Sequence, residues 1–372
     1  MMTGKERLLR IFEGKTVDRP SLKLWGLEIG QKMLHPAYKP VYDLASEITD
    51  IMRGVNTKFD AILGADFEEI VSFDDHPLSN SNWVNRYTCI KLPGRTLRAI
   101  RRYSKIGEPG YTLEHPVKEP EDLEALMRLK YKPIPLDMTP YYKSVKEMDD
   151  RGIVLFNLEH AAYAIQRTMG PECFALMSVD APELLKEAVV ICAARIIVRV
   201  KDVFNTGVKP VFGWVGPEIA IPPLVRIAQF EELVFNMDKP ICDLTHNSSG
   251  YAWVHCHVKV GLLLNRFADM GVDVLNPIEP TPLGEITLGD AVKKVGNRMG
   301  LKGNIEISSL LIGEPEEVKE LIYNSVSAGK GSQRFILCPS ASYMEYVQPT
   351  SEYINNLMIY LKYGLKFLTS LS

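Results

Sequence analysis

The chain has no uninterrupted apolar run approaching the ~18 residues of a membrane span. Its opening, Met1-Met2-Thr3-Gly4-Lys5-Glu6-Arg7, puts charge where a signal peptide needs an apolar core. Both absences lead us to expect a cytoplasmic protein with no membrane partner. Cysteine is sparse: Cys89, Cys173, Cys192, Cys242, Cys256 and Cys338 show no paired spacing such as C-x-x-C. Reduced thiols, not a disulfide framework, are therefore expected. An excess of basic charge is also missing, with 43 Lys and Arg against 46 Asp and Glu for a net charge of −3. Arg101-Arg102, near Arg95 and Arg98, is the one basic cluster, so no nucleic-acid partner is expected. No Gly-x-Gly-x-x-Gly loop follows any apolar run, which argues against a dinucleotide-binding sheet.

What is present can bury a large core: 372 residues, 46% apolar and 24% charged. Leu8, Leu9, Ile11 and Phe12 form a helical stripe that stops at Gly14. Residues 42–55 predict a second helix, and Phe59–Gly64 a short strand leading to Asp66 and Glu68. From about Trp83 to Leu113, β-formers flank Pro93-Gly94 and read as a hairpin insertion rich in Arg and aromatics. It is either a wall near a site or a solvated hairpin. Further on, Pro beside carboxylates or Ser/Thr marks helix starts at Pro120, Pro140, Pro182 and Pro315.

Between these helices lie short apolar runs: Gly152–Phe156, Lys209–Trp214, Ala252–His255, Val272–Asn276, Met299–Asn304 and Arg334–Cys338. Strands this apolar, alternating with helices, imply a parallel sheet covered on both faces. With Phe59–Gly64 there are seven candidates, and an eighth is expected around Leu22–Trp25 or in 170–180. The fold class expected is α/β, a (β/α)₈ TIM barrel spanning 1–372 as one domain, with an N-terminal helical extension and the hairpin around 83–113.

In such a barrel, functional groups gather just after the strands. Asp66, Asn157, Glu159, Trp214, Glu218, His255, His257, Asn276, Glu279, Asn304, Glu306 and Cys338 all fall there, though caps and loop residues account for some. His255 and His257 flank Cys256 and, two apart on an extended backbone, share a face. With Glu279, set between prolines, and Cys338 they offer N, O and S donors suited to Zn²⁺. The same residues read equally as satisfied strand-end histidines and a shaped loop.

The stretches Glu6–Leu9, Gly14–Pro20, His255–Val260, Phe267–Asp273, Asn276–Pro280, Gly296–Arg298 and Lys302–Ile305 resemble the uroporphyrinogen decarboxylase superfamily. The resemblance implies a (β/α)₈ barrel and one of two activities: metal-free decarboxylation of a tetrapyrrole, or zinc-dependent methyl transfer involving a corrinoid protein. The decarboxylase branch's Arg-rich motif is absent after Pro20, where Leu22-Lys23-Leu24-Trp25-Gly26 stands. The methyltransferase branch's first ligand matches His255; His257 occupies a Cys position, and Ala341 stands where the later Cys belongs, with Cys338 as its substitute. The activity expected is therefore a zinc-dependent methyltransferase acting on a small methylated substrate, such as a methoxylated aromatic in O-demethylation. The corrinoid (cobalamin) would be carried by a separate partner protein. Zinc would sit on His255, His257 and Cys338 or Glu279. Glu218 or Glu159 would act as the acid, and Trp214, Asn304, Asp66 and Tyr87 would contact substrate, with Trp83 also walling the site. A homodimer is included among the expected assemblies. The alternatives are a metal-free decarboxylase of a polycarboxylate, using Asp66 and the arginines of 95–102, or an inactive barrel that binds a ligand or corrinoid protein.

Overall fold

The computed structural model describes residues 1–26, 33, 35–342 and 348–370. Two strands, β1 (Ser21–Leu22) and β2 (Ile51–Val55), are followed by an antiparallel sheet of β3 (Val71–Pro77), β4 (Trp83–Leu92), β5 (Arg95–Ser104) and β6 (Tyr111–Glu114). The chain then returns to β7 (Gly152–Asn157), β8 (Val211–Val215), β9 (Tyr251–His255), β10 (Val274–Ile278), β11 (Gly300–Ile305) and β12 (Phe335–Pro339). Eight of these are parallel, in spatial order β1-β12-β11-β10-β9-β8-β7-β2. The two edges meet where the Asp50 N–H donates to the Leu22 carbonyl (2.8 Å). The sheet thus curls into a (β/α)₈ TIM-barrel-like fold, as the apolar strands predicted.

Residues alternate along each strand between the barrel interior and the helical layer. Met52, Leu155, Val211, Trp253, Val274 and Ile336 form the inner cluster, joined by Leu8, Ile11 and Phe12 of the helix Gly4–Glu13. That helix ends at Gly14, whose φ of 69° suits a left-handed cap. Its Arg7 pairs with Asp18 (2.8 Å) and Asp50 (2.5 Å), and Arg334 donates to the Ile11 and Phe12 carbonyls. The amino-terminal end of the barrel is closed by these contacts. The Pro-marked helices form as predicted, at Pro120–Met127, Thr139–Met148, Pro182–Asn205 and Pro315–Gly329.

Two expectations are corrected and two are met in part. The second helix stops at Ile48, and Ile51–Val55, assigned to that helix, is strand β2. Phe59–Gly64, expected as the strand, is a turn entering a 3-10 helix. The eighth strand is Ser21–Leu22, while 170–180 lies in the helix Ala161–Asp180. The hairpin around 83–113 is real but is the middle of a larger sheet, flanked by β3 and β6. Among the described residues, no helix is long and apolar enough to cross a membrane.

Candidate active site at the carboxyl end of the barrel

A cavity of about 600 Å³ opens at the carboxyl ends of the strands. Its wall includes Trp25 after β1, Gly54 and Asn56 at β2, Asn157 at β7, Trp214 on β8, Trp253 and His255 on β9, His257 beyond it, and Ser340–Ser342 after β12. Space at this level depends on small residues. A Cβ on Gly54 would lie 2.8 Å from the Asn157 amide, and one on Gly213 would lie 2.9 Å from the Trp253 ring.

His255 and His257 present their Nε2 atoms to each other at 2.8 Å, with ring centres 4.4 Å apart. Each is tied at its other nitrogen. His257 Nδ1 lies 3.1 Å from Glu279 Oε1, while Glu279 Oε2 accepts the Val258 N–H at 2.6 Å. His255 Nδ1 faces the Asn276 amide nitrogen at 3.3 Å, and Trp25 meets the His255 ring edge-on. Outer partners of this kind select tautomers. A proton on His257 Nδ1, donated to Glu279, leaves the Nε2 lone pair facing His255.

The two imidazoles have opposite electrostatics. Burial, followed by the His257 and Lys302 charges, pushes the His255 value down to about 3. The hydrogen bond to Glu279 raises that of His257. The Glu279 carboxyl is itself lowered, because its bonds to His257 and Val258 outweigh burial, which acts the other way. Burial drives the Cys256 thiol well up, so it is a core residue and not a nucleophile.

The remaining predicted residues divide between this site and other places. Trp214 lines the cavity, and its Nε1–H donates to Asp238 (2.9 Å), which lies 3.3 Å from His160. Glu218 contributes to the charge felt by Cys256 and His257, and its Oε2 is buried with no hydrogen-bond partner among the described residues. Glu159 accepts the Ala61 N–H and pairs with Arg167, both at 2.8 Å, away from the cavity wall. Asp66 pairs with Lys132 (2.8 Å), and Asn304 donates to the Ile278 carbonyl (3.1 Å). Tyr87 packs against His76 on the antiparallel sheet, and Trp83 against Tyr111.

The four expected metal donors do not gather around one point. Glu279 approaches the Nδ1 side of His257, and Cys338 is wholly buried opposite Asn304 in the β11–β12 register, outside the cavity wall. Among the described residues, no three His, Cys, Asp or Glu side chains are placed to hold a metal ion together. Among the described residues the donor set that fits a metal is thus two imidazole nitrogens, each backed by an outer partner.

Trp25, Trp253 and Asn56 went unread in the sequence as site residues. The signal for Trp25 was its place after Pro20, where the Arg-rich decarboxylase motif is missing. Trp253 was read only as part of an apolar run.

The uroporphyrinogen decarboxylase (URO-D) family model matches residues 107–351. No curated protein matches the sequence. Among solved structures, a methyltransferase from Methanosarcina mazei superposes with a TM-score of 0.63 at 15% identity, covering 97% of this chain and 99% of that one. A GH5-4 broad specificity endoglucanase from Clostridium acetobutylicum gives a TM-score of 0.40 at 11% identity over 65% of this chain and 81% of its own.

Proposed function

The chain belongs to the uroporphyrinogen decarboxylase family, and from that premise we propose that it is a methyltransferase. It moves a methyl group from a small methylated substrate, in our reading a methoxylated aromatic undergoing O-demethylation, to a corrinoid held by a separate protein docked over the barrel mouth. One observation carries the reading: two imidazoles converge Nε2 to Nε2 in a tryptophan-walled cavity. The full-length likeness to the M. mazei methyltransferase supports the same fold for the chain.

His255 and His257 would hold zinc, leaving its other positions to water and substrate. A bound zinc ion supplies Lewis acidity that makes the departing oxygen a better leaving group. The chain's own residues do the rest. Glu279 and Asn276 orient the two rings, and Trp25, Trp214 and Trp253 shield the cavity from water. Glu218, whose charge is felt at His257, would be the acid that moves a proton toward the leaving group.

The test is elemental analysis of the purified protein with parallel transfer assays on methoxylated aromatics and a cobalamin acceptor. Zinc near one per chain, lost together with transfer in His255→Ala and His257→Ala, is the expected result. Full transfer in the zinc-free protein would sink the reading. One rival is a metal-free decarboxylase of a polycarboxylate, supported by the described residues offering no third ligand beside the two histidines; its activity would survive both chelation and His257→Ala.

A further inference from the structure

A buried carboxyl group holds the end of strand β8 from the helical layer. Asp238, in the first turn of the helix Asn236–Asn247, is 1% exposed, and its Oδ2 accepts the Trp214 indole N–H at 2.9 Å. The Nε2 of His160, an equally buried side chain, lies 3.3 Å from the same oxygen. His160 Nδ1 accepts the Tyr163 amide and so caps the helix Ala161–Asp180. The proton of the neutral ring is therefore on Nε2, on the Asp238 side. Three elements converge on one oxygen: β8, the helix of Asp238 and the start of the helix that follows β7.

The chain beyond Trp214 has little freedom. Gly216 has a φ of 120°, and a Cβ there would lie 2.5 Å from the Tyr163 Cβ. The Ile219 N–H donates to the Gly216 carbonyl (3.2 Å), closing the 3-10 turn Pro217–Ala220 that carries Glu218. This turn is gripped twice, by Asp238 through the Trp214 indole and by Tyr163 against Gly216. His160 joins the two grips, since it faces Asp238 and accepts the Tyr163 amide. The charges of Glu218 and Asp238 are both felt at Cys256, between the two histidines, and that of Glu218 also at His257. A buried carboxyl is a poor source of stability, because an apolar group of the same volume often serves as well. As an anchor of fixed hydrogen-bond geometry it sets where a strand end points.

We propose that Asp238 is a positioning residue for this site: its hydrogen bond to Trp214, backed by His160, fixes the end of β8 and with it the place from which Glu218 acts. This rests on the reading above in which Glu218 is the acid, and it adds the device that aims it.

Crystal structures and transfer kinetics of variants of the whole chain test it. Asp238→Leu removes the acceptor at similar volume, whereas Asp238→Asn keeps an oxygen in its place. In Asp238→Leu the segment 215–218 should shift and carry the Glu218 carboxyl by about 1 Å or more, with kcat for a methoxylated aromatic falling about 100-fold and KM little changed. Asp238→Asn should hold the parent geometry and recover most of the rate. In a Glu218→Gln background, Asp238→Leu should cost no further rate, because it acts through Glu218. If Asp238→Leu does not fold, Trp214→Phe, which deletes the indole donor, carries the test with the same displacement expected. Glu218 found in its parent position in the folded Asp238→Leu or Trp214→Phe protein overturns the proposal, and so does an additive loss in the double variant. A parent chain without transfer activity counts against the methyltransferase reading alone, since the displacement of Glu218 is read from the crystal structures.

Discussion

His257 and His255 share one hydrogen-bond distance and respond to protons in opposite ways, which makes the pair readable in solution. A raised folded value for His257 means its contribution to stability is fully present below the ordinary 6.5 and is lost as pH rises through the raised value. For His255 the folded value is about 3, so between 6.5 and 3 the unfolded chain binds the proton and the folded chain resists it. Stability contributed by His255 therefore falls as pH drops through that window. Together the two contributions peak near pH 6.5 in the metal-free protein. Urea unfolding from pH 4 to 9 checks this: His255→Ala should flatten the acid side, and His257→Ala the alkaline side. An unchanged acid limb in His255→Ala would contradict the buried, neutral imidazole described here. The same residues show how far a sequence can be read. That two histidines two apart come together is legible from spacing, although the strand ends at His255, whereas the other expected donors depend on where Glu279 and Cys338 point, and spacing does not carry that information.

At the scale of elements, polar residues at strand ends hold the loops as well as the chemistry, and Glu159 is the clearest case. Both of its oxygens are engaged, one by the Ala61 amide on the segment after β2 and one by Arg167 on the helix Ala161–Asp180. Removing the carboxylate leaves a backbone donor and a guanidinium without this partner, so Glu159→Ala should cost about 1–3 kcal/mol of stability. Ligand binding in the tryptophan-walled cavity should be unchanged, since Glu159 lies outside its wall. Chemical denaturation alongside the intrinsic tryptophan fluorescence of the cavity separates the two effects, and a selective loss of transfer at full stability would assign Glu159 the role of acid. Elements were legible where short apolar runs were bounded by helical patterns, as in Gly152–Phe156 or Arg334–Cys338. Strand β2 was not, because Arg53 turns outward to Glu147 (2.8 Å) while Gly54 faces the Asn157 amide. A charged residue and a glycine inside five positions hide the alternation, and the preceding helical pattern ran on through them. The two residues of β1 are too short for any periodicity, and only their pairing with β12 makes them a strand.

Across the whole molecule, the barrel assigns its two ends different work. The carboxyl end holds the histidines, the tryptophans and the open cavity; the amino end is closed by the helix Gly4–Glu13, with Phe12 buried among inner-face residues of the strands and Arg7 bridging Asp18 and Asp50. A barrel interior is a packed core and not a pore, so damage at one end reaches the other only through that core. Phe12→Ala removes a wholly buried ring from the closed end and should lower unfolding free energy by about 3–5 kcal/mol. The intrinsic tryptophan fluorescence of the folded fraction, which reports on the cavity, should stay within experimental scatter of the parent, because Phe12 is not among the residues that line it. Met52, Leu155 and Trp253 are the routes by which the effect could travel, since all three pack in the same inner cluster as Phe12 and also line the cavity. A shift in the cavity fluorescence of Phe12→Ala would therefore identify these shared residues as a mechanical link between the ends, whereas an unchanged signal with a large stability loss establishes that the barrel's closed end supports the site without tuning it.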